Sequence, residues 1–357
     1  MKPTQALHDL GQRLWLDNIT RDLLDGGTLQ RYIRELAVTG LTSNPTIFDE
    51  AIGKGSAYDA SIQSAAARGA RPEDIFMDLA LDDLRRAADL FRPVFDATGG
   101  EDGWVSLEVS PLLADDTAAT VAAAGTIHAA AARPNLFVKI PGTPAGVPAI
   151  EESIYRGIPV NVTLLFSTDQ YQAVHDAYLR GIERRLAAGR GAQVGCVASV
   201  FISRWDRAVA EQVPAALHNK LGIAVGQECY AAYRETLEGA RFRKLAAAGA
   251  RPQRLLFAST GVKDPQASAN LYVEALAAPD TINTMPEKTL LAFAAGGRLG
   301  APLAADAGAA RAVLAQFPRA GIDLGALARR LQVDAADAFV KSWNGLLQRI
   351  IDKARKN

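Results

Sequence analysis

Cysteine is nearly absent from this sequence. Its 357 residues include two, Cys196 and Cys229, too few for a disulfide framework and without metal-ligand spacing. The pattern suits a reducing compartment. Histidine is equally sparse. His8, His128, His175 and His218 stand singly with no HxxxH or HxH pair, so no metal is expected. Neither sign of charge is in excess, with 39 Lys+Arg against 39 Asp+Glu. That removes the usual electrostatic reason to expect nucleic acid or a membrane surface as partner, although a local basic pocket stays allowed. No apolar run reaches membrane-spanning length, and Met1-Lys2-Pro3-Thr4-Gln5 is not followed by an apolar leader core. The chain is therefore expected in the cytoplasm. No GxGxxG and no GxxxxGK[ST] occurs, so nothing supports a nucleotide, and no organic cofactor is expected.

What is present is a soluble, core-forming composition, 49% hydrophobic, with two alternating textures. Short β-branched or apolar runs are followed by longer Ala/Leu-rich stretches with helical spacing. The runs predict strands at Arg13–Asp17, Gly40–Asn44, Gly103–Val109, Asn135–Ile140, Pro159–Leu165, Gly195–Ile202, Arg254–Ser259 and Thr281–Thr284. Eight βα units predict a parallel sheet closed into a (β/α)8 TIM barrel, one domain spanning 1–357. Helices are expected around Leu29–Leu36, Asp74–Leu90 and after Ser167, where Ser167 and Gln170 form a capping box and Gly189 ends the helix. Further helices at Ala304–Phe317 and Leu324–Lys356 are expected to wrap the barrel.

Side chains alternate along a strand, so the residues sharing a face can be read directly. Asp17 goes with Trp15, Thr42 with Asn44, Ser106 with Glu108 and Ser110, Lys139 with Phe137, Asn161 with Thr163, and Ser199 with Phe201. The opposite faces are aliphatic and must pack on helices. The mixed faces therefore point into the barrel, where strand C-termini form the site. Buried polar groups need partners, so an interior holding Asp, Glu, Lys, two Asn and two Thr points to use. An ammonium in a barrel is desolvated, which favours the free amine and suits Lys139 to Schiff-base chemistry. The alternative for Lys139 is a structural ion pair with Asp17 or Glu108. Those two carboxylates are the acid/base candidates, Glu108 with Thr163 for a water beside the lysine and Asp17 for a sugar hydroxyl. Each is equally readable as an ion-pair partner. Arg204 after the sixth strand and Lys263 after the seventh, with Ser199 and Ser259, form a candidate phosphate clamp. Taken singly, either cation is a solvated surface charge.

Several segments resemble the transaldolase family. Leu41-Thr42-Ser43-Asn44-Pro45-Thr46 resembles its T-[ST]-N-P signature, Ser106-Leu107-Glu108-Val109 its S-x-E-V, Asn135-Leu136-Phe137-Val138-Lys139-Ile140-Pro141 its Schiff-base strand, and Asn161-Val162-Thr163-Leu164-Leu165-Phe166-Ser167 its N-[VL]-T-L-[LI]-F-S. The matches run in order from Asp17 to Pro286 and are most similar to the longer bacterial branch. The resemblance implies transfer of a dihydroxyacetone unit from sedoheptulose 7-phosphate to glyceraldehyde 3-phosphate, with sugar phosphates as partners. It implies Lys139 as imine former, Asp17 as acid/base, Glu108 and Thr163 as the water-binding pair, Thr42, Asn44, Asn161 and Phe201 around the substrate, and Ser199, Arg204, Ser259 and Lys263 near its phosphate. Many relatives carry an Arg in a short A-S-F-R turn where this chain has a longer loop with Lys263. Two other readings stand beside it. A fructose 6-phosphate aldolase-type enzyme shares the fold and lysine, but such relatives have Gln and Tyr where this chain has Glu108 and Phe201. A non-catalytic phosphosugar-binding barrel would be expected to lose the lysine or the carboxylates. A homo-oligomer is compatible with all three readings.

Overall fold

Each apolar run forms a strand. In the computed structural model, which describes residues 2–355, β1 (Arg13–Asp17), β2 (Val38–Thr42), β3 (Val105–Glu108), β4 (Leu136–Pro141), β5 (Val160–Leu165), β6 (Cys196–Phe201), β7 (Gln253–Ala258) and β8 (Ile282–Met285) pair in parallel in sequence order. β8 pairs back onto β1 and closes the barrel. Nearly every strand residue is buried, as a parallel sheet covered by helices requires.

The lower interior is aromatic. Trp104 stacks on Phe137 with ring centroids 3.9 Å apart, and Trp15 lies 6.2 Å from the same ring. Gly40 makes room for this layer, since a Cβ there would meet the Trp15 indole Nε1 at 2.5 Å. The indole N–H donates to Asp102 Oδ1 at 2.9 Å. Asp17 and Lys139 lie two residues beyond Trp15 and Phe137. Strand rise thus lifts both polar groups about 7 Å above the aromatic floor, toward the C-terminal mouth.

Several elements differ from the sequence reading. β2 starts and ends two residues earlier than expected, because Asn44 leaves the strand to cap the next helix, Pro45–Lys54. Its Oδ1 accepts the Ile47 N–H at 3.0 Å, and Pro45 fills the first helical position. The Ala304–Phe317 helix shrinks to Gly308–Leu314, because Asp306 Oδ1 accepts the Gly308 N–H at 2.9 Å and forms a turn before it. After β5, Ser167 caps Thr168–Ala187 as expected, but Gln170 Oε1 reaches the Phe166 N–H at 2.7 Å rather than the Ser167 amide.

The C-terminal helix Leu324–Ala354 is 31 residues long. Its buried face, Leu327, Leu331, Gln332, Ala335, Phe339, Trp343, Leu346 and Ile350, follows helical spacing. It packs on Pro45–Lys54, Asp59–Ala67 and Pro72–Ala97, the helices between β2 and β3. Phe76 bridges Phe48 and Trp343 there through two edge contacts at 5.3 and 5.2 Å. No helix among the described residues is long and apolar enough to cross a membrane.

Candidate active site

Strand register brings the chemistry together. Glu108 on β3 sits beside Lys139 on β4, and Pro141 sits beside Thr163 on β5. Lys139 Nζ donates to Glu108 Oε2 and to the Ser43 carbonyl, both at 3.2 Å. Both side chains are about 95% buried, so the ion pair foreseen as an alternative for Lys139 exists, formed with Glu108 and not Asp17. A buried amine touching a buried carboxyl can exchange a proton with it, so the pair does not argue against chemistry.

Asp17 faces the same cleft. Its Oδ1 accepts from Thr42 Oγ1 at 2.7 Å, and Thr42 lies 2.6 Å from Thr284 Oγ1. With Thr42 donating to the carboxylate, Thr284 must donate to Thr42. Burial pushes the Asp17 carboxyl above the usual carboxylate range, against the opposing pull of Lys139, the Thr42 hydrogen bond and Lys263. Burial raises Glu108 as well, Lys139 opposing by charge and hydrogen bond while the Asp17 charge adds to the rise. Two carboxyls that both resist ionisation beside one amine suit proton transfer.

Thr163 lines the cleft, and its buried hydroxyl has no hydrogen-bond partner among the described residues. Asn44 lines it too; helix capping occupies its Oδ1 and leaves its amide N–H groups for a ligand. Asn161 lies a layer deeper with both amide ends engaged, Nδ2 donating to Ser106 Oγ at 3.0 Å and Oδ1 accepting from Ser199 Oγ at 2.8 Å. Its contact with the cleft runs through Ser199, which lines the wall with Phe201.

The cations sit at the rim. Arg204 opens the helix Ser203–Val209, its guanidinium 5.5 Å from the Phe201 ring centre. Burial and the neighbouring Arg207 pull it below its ordinary value, Asp334 opposing, yet a guanidinium stays charged. Lys263 is exposed on the loop after β7. Among the described residues neither cation has a carboxylate within ion-pair distance. Ser259 holds φ +56° and its hydroxyl lies 2.9 Å from Ser203 Oγ. Every candidate from the sequence thus lines one cleft or, as Glu108 and Asn161 do, bonds directly to a residue that lines it.

Among the wall residues that sequence reasoning missed are Thr284 and Phe339. Thr284 was findable, since it ends an expected strand and alternates there with Asn283. Phe339 was not, because nothing local says that the C-terminal helix crosses the mouth; its ring centre lies 5.7 Å from Lys139 Nζ. Among the described residues no group of three or more His, Cys, Asp or Glu is placed to hold a metal. A second cleft, at the N-terminal end, is lined by Arg13, Asp102, Trp104, Phe137, Arg251 and Arg254.

The profile of the family described as "Transaldolase/Fructose-6-phosphate aldolase" matches residues 14–350. The chain is 45% identical to "Transaldolase" of Thermobifida fusca (strain YX), over 98% of this chain and 97% of that one. It is 45% identical to "Transaldolase" of Thiobacillus denitrificans (strain ATCC 25259 / T1), over 98% of this chain and all of that one. Identity to "Transaldolase" of Mycolicibacterium smegmatis (strain ATCC 700084 / mc(2)155) is 43%, covering 98% of each.

Proposed function

Because the chain belongs to the transaldolase/fructose-6-phosphate aldolase family, we propose that it moves a dihydroxyacetone unit from sedoheptulose 7-phosphate to glyceraldehyde 3-phosphate through an imine on Lys139. The products are erythrose 4-phosphate and fructose 6-phosphate, a step of the non-oxidative pentose phosphate pathway. The chain is a transaldolase, a transferase acting on sugar phosphates. Glu108 and Phe201 favour transfer over simple aldol cleavage, since the aldolase-type relatives resemble Gln and Tyr there. Its place of work on this reading is the cytoplasm.

One observation carries the assignment of the site: a buried lysine amine 3.2 Å from a buried carboxyl, at the base of a cleft whose rim holds two cations without a carboxylate partner among the described residues. The free amine adds to the ketose carbonyl carbon, and the carbinolamine expels its oxygen as water. Glu108 supplies and recovers the protons at 3.2 Å, and the Thr163 hydroxyl holds the departing water. Asp17 then takes the proton of the donor's cleavable hydroxyl, the carbon–carbon bond breaks, and its electrons pass into the imine to leave an enamine on Lys139. The first aldose leaves. The enamine carbon attacks the acceptor aldehyde, Asp17 returns the proton, and water releases the new ketose. Arg204 and Lys263, with Ser199 and Ser259, hold the phosphate.

Borohydride reduction in the presence of fructose 6-phosphate tests this. A three-carbon adduct should form on the peptide containing Lys139, and none on Lys139→Ala protein. An adduct on another lysine would overturn the assignment.

A further inference from the structure

The end of β5 departs from regular strand geometry. Leu164 has φ +60°, a conformation that a bulky side chain rarely adopts. The β5–β6 register slips at the same place: Val162 pairs with Ala198 and Leu165 with Val200, so β5 carries one extra residue. A bulge of this kind re-aims the neighbouring side chain. That neighbour is Thr163, whose hydroxyl is left free toward the cleft.

Something must hold the strained residue in place. The Thr163 carbonyl accepts the Gly142 N–H at 2.7 Å. The carbonyls on either side of that bond, Gly142 O and Leu164 O, both accept from Gln332 Nε2 of the C-terminal helix, at 3.0 and 2.8 Å. Two carbonyl acceptors fix which end of the amide faces them. Gln332 is 8% exposed, so this amide is set into the wall rather than floating over it. It lies seven residues, two helical turns, before Phe339, and both belong to the buried face.

We propose that Gln332 is a positioning residue for the transfer reaction: by clamping the Leu164 bulge it aims the Thr163 hydroxyl at the water leaving or entering beside Lys139. The inference rests on the imine reading above. Without the amide, two carbonyls lose their donor, Leu164 is free to relax toward ordinary strand geometry, and Thr163 turns with it. The phosphate clamp lies on other strands and stays as it is.

The test is the time course of borohydride-trapped imine from fructose 6-phosphate, run on the whole chain as wild type, Gln332→Met, Thr163→Val and the double variant, each checked for folding by thermal melting. Gln332→Met keeps the shape and removes the donor. We expect imine formation to slow about ten- to a hundredfold, as misplaced catalytic groups do, with KM for fructose 6-phosphate within about twofold. In the double variant the Gln332 change should add nothing to the Thr163 loss. Should Gln332→Met not fold, Gln332→Leu, of similar size and without a donor, takes its place in the cycle. Trapping at the wild-type rate, or losses that multiply in the double variant, would overturn the inference. Failure of the wild type itself to be trapped would instead overturn the imine reading.

Discussion

The two ends of the barrel both carry a cleft with arginines and carboxylates, yet they are built to different purposes. At the N-terminal end the cations are occupied. Arg251 donates to the carbonyls of Gly99 and Gly100, and Arg254 to those of Glu101 and Thr281. Arg13 lies 2.7 Å from a His8 ring nitrogen and 3.6 Å from Asp102, which also accepts the Trp15 indole N–H. At the C-terminal end they are left over. Arg204 and Lys263 lack ion pairs among the described residues, the Thr163 hydroxyl lacks a partner, and two carboxyls are held above their usual range. Concavity and charge do not separate the ends; cations without a protein partner among the described residues do. Such groups are costly to bury and mark where a ligand completes the structure.

The comparison breaks first at Lys139. Lys139→Ala and Lys139→Arg should both lower transfer by on the order of 10⁴-fold or more, as loss of a nucleophile does, while melting stays cooperative. Arginine keeps the charge but stays protonated and forms no imine. Substantial turnover by either variant would remove the lysine from the mechanism.

Asp17→Asn comes next, with a loss of about 10²–10⁴-fold expected for an acid/base group. Asp17 must be ionised to accept a proton and its carboxyl is raised by burial. The acid limb of wild-type kcat should therefore lie above the ordinary carboxylate range. The sign for stability is opposite to that of a salt-bridged carboxylate. A raised value means that the folded state binds more protons than the unfolded, so stability falls as pH rises from the ordinary range through the raised one. Asp17→Asn should consequently melt higher than wild type at neutral pH while losing activity. A lower Tm at neutral pH would show that the ionised carboxylate stabilises the fold.

The rim cations should act through the substrate's phosphate. A charge-assisted hydrogen bond contributes about 1.5–3 kcal/mol, so Arg204→Ala and Lys263→Ala should each lower kcat/KM about ten- to a hundredfold. Arg204 should matter more, because it is half-buried at a strand end whereas Lys263 rides an exposed loop. Unphosphorylated fructose should hardly notice either change. Equal losses with and without the phosphate would place the clamp elsewhere.

Arg251→Ala, on the other end, should leave kcat and KM alone. Losing its two carbonyl contacts should lower Tm by about 1–5 °C. An activity loss without a Tm change would erase the distinction between the ends.

Much of the site was legible because period-2 alternation survives in a closed sheet: Asp17, Glu108, Lys139, Ser199 and Phe201 face as parity dictates. Asn44 was found at the site although its strand had ended, because capping turned it to the same mouth. The Leu164 bulge was illegible, since Asn-Val-Thr-Leu alternates normally and only the register with β6 exposes the extra residue. Phe339 and Gln332 were illegible for a different reason. Helical spacing shows which face of Leu324–Ala354 is buried, but not that the barrel mouth is what it covers.

That cover also has a timing. β8 completes the barrel at Met285, whereas Phe339, which lies over the lysine, is made roughly fifty residues later, a few seconds of synthesis at about 5–20 residues per second. The anchors on which the late helix docks, Phe48 and Phe76, are among the early residues and wait in place. Until that helix is made, nothing in the eight strands supplies the Phe339 ring that lies over Lys139. The reactive centre is thus covered by a segment made only after all eight strands of the barrel.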